Sequence, residues 1–589
     1  MKNFNLTVKI NIVVAMIFSL LCLSFRTDVS LFSFPISVAF TVALYFVSYK
    51  ELVLKQSIVH LNAIRRFFQY EPFVFITAFV IQRSGRSGFP VFFDAACSLV
   101  WVVLCVLSFR IQYLLADKRI GNISGDWKLY RQEHPAVKSK GVKRIFIEIL
   151  EWVDALLQAV FTIILLNIFL FQLYEIPSES MVPTFLIKDR VVVFKTFAGP
   201  KFPLSDFGLP YLTKYKRGDI VVFRNPHYGT ERKNEIKTFF SQFVYMCSLT
   251  LLKINTDENG ELKADPLVKR VCGLPGEQIY MLDGKFYSRT KDSDEFKIIE
   301  DDSRWAAWNL NPLSEKTKSK IQQIPLNVRQ ASDCLFIEEM RRNIDLNSVA
   351  LECESLSKEF SHYASLVGAY DSKKGEFFSK KDLMVFNLFS NVNSETITLL
   401  TADGGVQWFD TFINSWHRGM ESQLGGNFDD PYKECCFKLN AMTKVLFGRL
   451  VARTARLIYD GVSASEWNND PERIKAFDIA QKLSDYILEM DLRNLPLFPA
   501  NTKDGQAQYI PENCYFMMGD NRYNSLDMRH SYEQKLIPLS HEDNMSVMYY
   551  SNIEPQWVNR SRMLGKASFR FWPLSRIGFP GVGMDELKK

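Results

Sequence analysis

The chain is poor in the residues that assemble metal centres. Its seven histidines are scattered through 589 residues, and it has no CxxC pair, zinc-ligand spacing or HExxH. A zinc peptidase site of the usual helical kind is therefore excluded. An excess of one charge is lacking too: a net charge of +6 is mild at this length, so nothing favours nucleic acid as a partner. The ten cysteines form no disulfide framework. Cys22, Cys97 and Cys105 lie in apolar runs and Cys435-Cys436 are adjacent, which reads as structural. What the chain has is apolar residues, 47% of the total with 48 phenylalanines. The mean hydropathy is nonetheless near zero, −0.06. The apolar character must be concentrated, and it is, in the first 173 residues. The length allows several domains.

Five apolar stretches fill that region: Ile10–Phe25, Val29–Tyr49, Phe67–Ile81, Phe89–Leu115 and Ala155–Leu173. A bilayer-spanning helix needs roughly 20 such residues, so the first and third are short, and the third also reads as a re-entrant or interfacial piece. No small-x-small cleavage site follows Ile10–Phe25, so it reads as a retained span rather than a leader. Positive charge orients the array. Lys118, Arg119, Lys128, Arg131, Lys138, Lys140, Lys143 and Arg144 mark one cytoplasmic loop; Lys50, Lys55, Arg65 and Arg66 mark another. Five spans with the N-terminus inside put everything after Leu173 outside. Four spans flip the N-terminus, keep that result, and strand the second basic loop on the wrong side.

The segment Ile176-Pro177-Ser178-Glu179-Ser180-Met181-Val182-Pro183-Thr184 emerges at that membrane surface. Its prolines disfavour a helix, and two serines two apart share one side of an extended chain. One could attack a carbonyl while the other donates to the oxyanion. Strands are expected at Arg190–Lys195, Gly218–Arg224, Leu267–Cys272, Cys514–Met518 and Lys566–Phe571, from β-branched or aromatic runs bounded by turns. Between them, Phe239–Leu252 is apolar and suits either a buried helix or a segment dipping into the outer leaflet. Residues 292–508 change character, with helical periodicity in Phe336–Val349, Phe437–Tyr459 and Glu466–Asp491. Trp305, Trp308, Trp408 and Trp416 read as core. A serine needs a base, and Lys269 can serve if its apolar strand desolvates it from the ordinary pKa of about 10.4.

These residues carry a family resemblance. Ile176-Pro177-Ser178-x-Ser180-Met181-x-Pro183-Thr184 resembles the nucleophile box of the bacterial type I signal peptidases (leader peptidases). Gly218-Asp219-Ile220-Val221-Val222-Phe223 resembles a structural box. Lys269-Arg270-Val271-x-Gly273-Leu274-Pro275-Gly276-Glu277 is similar to the general-base box. Gly519-Asp520-Asn521-Arg522-x-Asn524-Ser525-x-Asp527-x-Arg529 looks like the fourth, and Gly565-Lys566-Ala567 like the closing strand. The boxes stand in the family's order behind a positive-inside membrane region.

The resemblance implies a multi-pass helical membrane segment followed by a mostly-β catalytic domain with a large helical insertion. It implies Ser180 as nucleophile and Lys269 as general base, Ser178 beside the Ser180 N–H as oxyanion donors, and Ser525 orienting the lysine amine. Arg270 with Asp520, and Asp527 with Arg529, would pair to fix the two loops, and Met181 would pack at the membrane edge. The chain before Ser178 and before Lys269 would bind substrate as an added strand, with shallow pockets for small side chains. No metal or cofactor is expected. The partners implied are preprotein signal peptides, the lipid bilayer and possible secretion machinery, with the catalytic domain outside a bacterial inner membrane. The expected division is 1–146 and 147–173 for the membrane part, 174–291 and 509–589 for the catalytic domain, and 292–508 for the insertion. Tyr523, Met528 and Cys272 depart from the family pattern without removing a catalytic group. The competing reading is a non-catalytic multi-pass membrane protein with a periplasmic binding domain.

Overall fold

A computed structural model describes residues 2–24, 30–55, 60–85, 90–122, 141–229, 232–248, 265–367 and 377–580, with positions 132, 252 and 254. Five long helices lead the chain: α1 Lys2–Ser24, α2 Ser30–Leu44 (continued as a π-helix to Leu54), α3 Leu61–Ser84, α4 Val91–Leu114 and α5 Val142–Phe169. Among the described residues, four stretches, Asn3–Leu23, Phe32–Leu54, Val91–Leu114 and Val142–Phe169, are long and apolar enough to cross a membrane. The helix α3 is long enough but carries Arg65, Arg66, Glu71 and Arg83. It nevertheless packs against α2 and α4. At one end Gln82 donates to the Cys22 carbonyl of α1 (2.7 Å), and at the other Arg65 Nε donates to the Leu115 carbonyl beyond α4 (3.0 Å). Pro72 removes one helical donor and frees the carbonyl of Phe68; Ser108 and Gln112 of α4 donate to it instead. That repair is what a backbone acceptor away from water requires. The basic residues Lys128, Arg131, Lys138 and Lys140 lie outside the described residues, as do Leu249 and Leu251 of the apolar Phe239–Leu252 run.

The last apolar run departs from expectation at its end. The helix stops at Phe169, and Phe171–Glu175 is already a strand, β1, paired with β2 Arg190–Phe194 from Phe171↔Phe194 to Glu175↔Arg190. Phe171 and Leu173 therefore belong to a sheet. The other expected strands form β3 Ile220–Phe223, β4 Leu267–Gly273, and, after β5 Glu277–Leu282, β6 Lys285–Thr290, β7 Ser293–Ile298 and β8 Leu495–Phe498, the strand β9 Cys514–Met518. The hairpin β10 His530–Pro538 and β11 Met548–Ile553, the short β12 Val558–Asn559 and β13 Met563–Trp572 complete the chain. One antiparallel sheet runs β1-β2-β13-β3-β4-β9-β12, and a second β7-β6-β5-β8. Pairings such as β4 with β9 (Arg270↔Met518, Val271↔Met517) join residues far apart in the chain.

Among the described residues, the helices of the insertion run from Glu300–Trp305 to Pro471–Arg493. Its longest helix, Pro431–Tyr459, starts on an Asp430 cap with proline in its first turn, and helices Leu346–Val367 and Pro471–Arg493 pack against it. The expected single helix over Phe336–Val349 is broken: Val328–Arg342 ends at Asn343 and a new helix begins at Leu346. Trp305 and Trp416 are buried; Trp308 and Trp408 pack half-buried on the cores. The strands β7 and β8 bring both ends of the insertion back to the β5–β6 hairpin. The helix α6 Arg232–Cys247, which holds most of the apolar run after Phe239, leans on the membrane helices through Phe239 and through Phe243 against Phe161 (6.3 Å between rings).

Candidate active site

Ser180 sits in the turn after β1, and Lys269 at the middle of the β3–β4 pairing, opposite Val221. Their side chains meet: Lys269 Nζ donates to Ser180 Oγ at 2.7 Å. Lys269 is 3% exposed, and burial pushes its amine down from 10.5 to about 8, with Asp527 and Asp520 pulling the other way. Desolvation wins because it acts on the amine directly, while both carboxylates are already paired with arginines. Ser178 Oγ lies 3.4 Å from Ser180 Oγ, on the exposed side of the pair. The structure thus brings Ser178, Ser180 and Lys269 together.

Arginine–carboxylate pairs frame this centre. Arg270 reaches Asp520 through Nε (2.7 Å) and Nη2 (2.6 Å), and its Nη1 reaches the Gly218 carbonyl (2.8 Å). Asp527 receives Arg529 Nε (2.8 Å) and Nη2 (3.0 Å) and the Gly519 N–H (2.8 Å). Burial would raise the Asp527 carboxyl, but the Arg529 guanidinium holds it well below the usual carboxylate range. Such bidentate, buried pairs are geometric clamps more than sources of stability.

Two expectations need correction. Met181 is fully buried with Ile176, Phe185, Val191, Val193, Ile220, Val222 and Ala567; the turn after Ser180 swings it under the sheet rather than toward a membrane edge. Ser525 does not bond Lys269. Its hydroxyl is buried without a hydrogen-bond partner among the described residues, packed over Gly519. A Cβ on Gly519 would stand 2.1 Å from Ser525 Oγ and 2.4 Å from the Ser180 carbonyl oxygen, so only glycine permits this approach of the two loops.

Three other residues stand inside the boxes without an expected partner. Thr184 Oγ1 donates to Asp520 Oδ2, tying the nucleophile turn to the fourth box. The Asn521 N–H donates to the Ser180 carbonyl (3.1 Å) and its side-chain amide to the Glu179 carbonyl (3.2 Å). Arg522 pairs with Asp302 of the insertion. A polar residue inside a box can be noticed in sequence, but its partner hundreds of residues away cannot.

Residues 149–336 and 460–572, just over half of the chain, match the family described as signal peptidase, peptidase S26. The chain belongs to that signal peptidase family. Relatives include signal peptidase I of Buchnera aphidicola subsp. Acyrthosiphon pisum, 30% identical over 181 residues (31% of this chain, 43% of the relative). Signal peptidase I P of Bacillus subtilis subsp. natto is 28% identical over 158 residues (27% and 60%), and signal peptidase I of Pseudomonas aeruginosa 31% over 113 (19% and 39%). The matches thus span between about two fifths and three fifths of these relatives' lengths. No solved structure matches. The family match leaves out residues 337–459, the bulk of the helical insertion.

Proposed function

We propose that the chain is a membrane-bound serine endopeptidase that removes signal peptides from exported preproteins, with Ser180 as nucleophile and Lys269 as general base. The observation that carries this reading is the 2.7 Å hydrogen bond between a desolvated lysine amine and the Ser180 hydroxyl.

The neutral amine takes the Ser180 proton as Oγ attacks the scissile carbonyl. The oxyanion forms against the Ser180 N–H and the Ser178 hydroxyl, a donor whose loss typically costs about 10²–10³-fold. The Lys269 ammonium then gives its proton to the departing amine of the mature protein. After that the neutral lysine deprotonates a water, which attacks the acyl-enzyme ester and releases the signal peptide with a free carboxylate. Substrate can enter as an added strand: the β4–β9 ladder begins only at Arg270, so the edge of Leu267 and Val268 on that side has no ladder partner among the described residues.

The favoured topology has five crossings, with α3 among them, and the catalytic domain on the periplasmic side of a bacterial inner membrane. In support, Arg65, Lys118 and Arg119 lie at one end of α3 and α4 and Asp94 at the other, where it meets Ser205 of the catalytic domain. Contact with secretion machinery belongs to the same proposal. The test is cleavage of a preprotein with an Ala-x-Ala site in detergent or vesicles by wild type, Ser180→Ala and Lys269→Ala. Processing abolished in both folded variants is expected. Full processing by either would overturn the assignment of that residue, and inert wild type would favour the binding-domain reading.

A further inference from the structure

Glu179, between the two serines, is 6% exposed. A carboxylate is costly to bury unless hydrogen-bonded, and its bonds come from the insertion: it accepts the backbone N–H groups of Gln322 and Gln323, the latter at 3.2 Å. Around that contact, Ile321 and Ile324 pack with Ala307, Leu310 and Leu313 against Val182 and Leu186, which follow the nucleophile. A bridge joins Ala307 to Asn521, and Asp302 holds Arg522. Residues 302–324 therefore strap across both the Ser180 turn and the loop that holds its carbonyl. Two N–H donors on one carboxylate are charge-assisted bonds, and they fix the residue that Ser178 and Ser180 flank.

We propose that Glu179 is a positioning residue that, through the backbone of 322–323, makes the insertion part of the apparatus setting the Ser180 Oγ against Lys269. This rests on the reading of Ser180 and Lys269 as the dyad. Glu179→Gln keeps one oxygen able to accept an N–H; Glu179→Ala keeps none.

The experiment uses the full chain in detergent, measuring steady-state preprotein cleavage and amide hydrogen exchange over 176–186 and 320–324. Glu179→Ala should lower kcat by about 10–100-fold, the cost of roughly an ångström of misplacement. KM should stay within about twofold, and both segments should exchange faster. Glu179→Gln should recover kcat to within about fivefold. Unchanged kcat in Glu179→Ala would overturn the proposal, as would a rise in KM at constant kcat or a loss that glutamine does not relieve. Should wild type cleave nothing, the dyad reading fails separately, and exchange alone decides the tether: equal exchange in wild type and Glu179→Ala refutes it, and faster exchange in the variant upholds it.

Discussion

A lysine that shares its proton with a serine works only when neutral, so its titration sets the pH at which the dyad acts. Burial places the Lys269 amine at about 8. Activity should therefore rise with pH, about tenfold per unit below 8, and level off above it; kcat/KM against pH measures this, and a flat profile from pH 6 to 9 would count against Lys269 as the base. Gly519 is the second residue-scale constraint. Gly519→Ala forces apart the Ser180 carbonyl and Ser525, an overpacking cost of about 1–3 kcal/mol, and kcat should fall by about tenfold or more at nearly unchanged KM. At this scale the site was largely legible. Ser180 and Lys269 could be named because four boxes stand in the family's order; a serine-rich turn after an apolar helix and a lysine in an apolar strand are each ordinary by themselves. Ser525 and Met181 were misplaced because hydroxyl direction and the swing of a turn depend on packing by residues far away in the chain.

Among the elements, a buried ion pair ties the insertion to the second part of the catalytic domain. Lys444 on its longest helix meets Asp543 from the loop between β10 and β11, both fully buried, with Asn440 and Ser415 completing the carboxylate's bonds. Removing one partner leaves an uncompensated charge. Asp543→Ala should destabilise the insertion by about 3–5 kcal/mol, read as a lowered denaturation midpoint, whereas an exposed control such as Glu554→Ala should shift it little. The catalytic strands were readable because β-branched runs between turn residues have few alternatives. The break at Asn343 was not: the buried positions before it (Cys334, Ile337, Arg341) and after it (Leu346, Ala350, Cys353) each keep helical spacing, but the second set starts on a new phase, which a reading of spacing alone runs together.

Across the molecule, the catalytic domain rests on the membrane helices through the loop between β2 and β3. Phe202 is buried among Phe79, Trp101 and Phe169, while Ser205 donates to Asp94, which also pairs with Arg83. That plug fixes the height of Ser180 above the helices, where the strand β1 follows α5 almost directly. Phe202→Ala removes a large buried side chain, a loss of about 3–5 kcal/mol. Faster proteolysis of the 197–212 loop in vesicles should follow. Loss of processing should be steeper for membrane-inserted preprotein than for a soluble peptide spanning the cleavage site. Equal loss on both substrates would mean that the docking does not set the height of the site.

The sequence by itself pointed to the membrane helices, to five of the strands and to the two candidate residues at the centre. The first two follow from local physics, apolar length and β-branched runs; the candidate dyad follows from the resemblance of two boxes to those of the signal peptidase family. Tertiary structure alone decided how the ends of the chain close on each other. Whether Lys269 is neutral depends on the β3–β4 pairing and the packing over it. Whether Ser180 is held depends on Asn521, Gly519 and the strap at 302–324. Long-range antiparallel pairing brings such groups together without leaving a periodic mark in the chain, so the partners of a buried charge appear only once the sheet is formed.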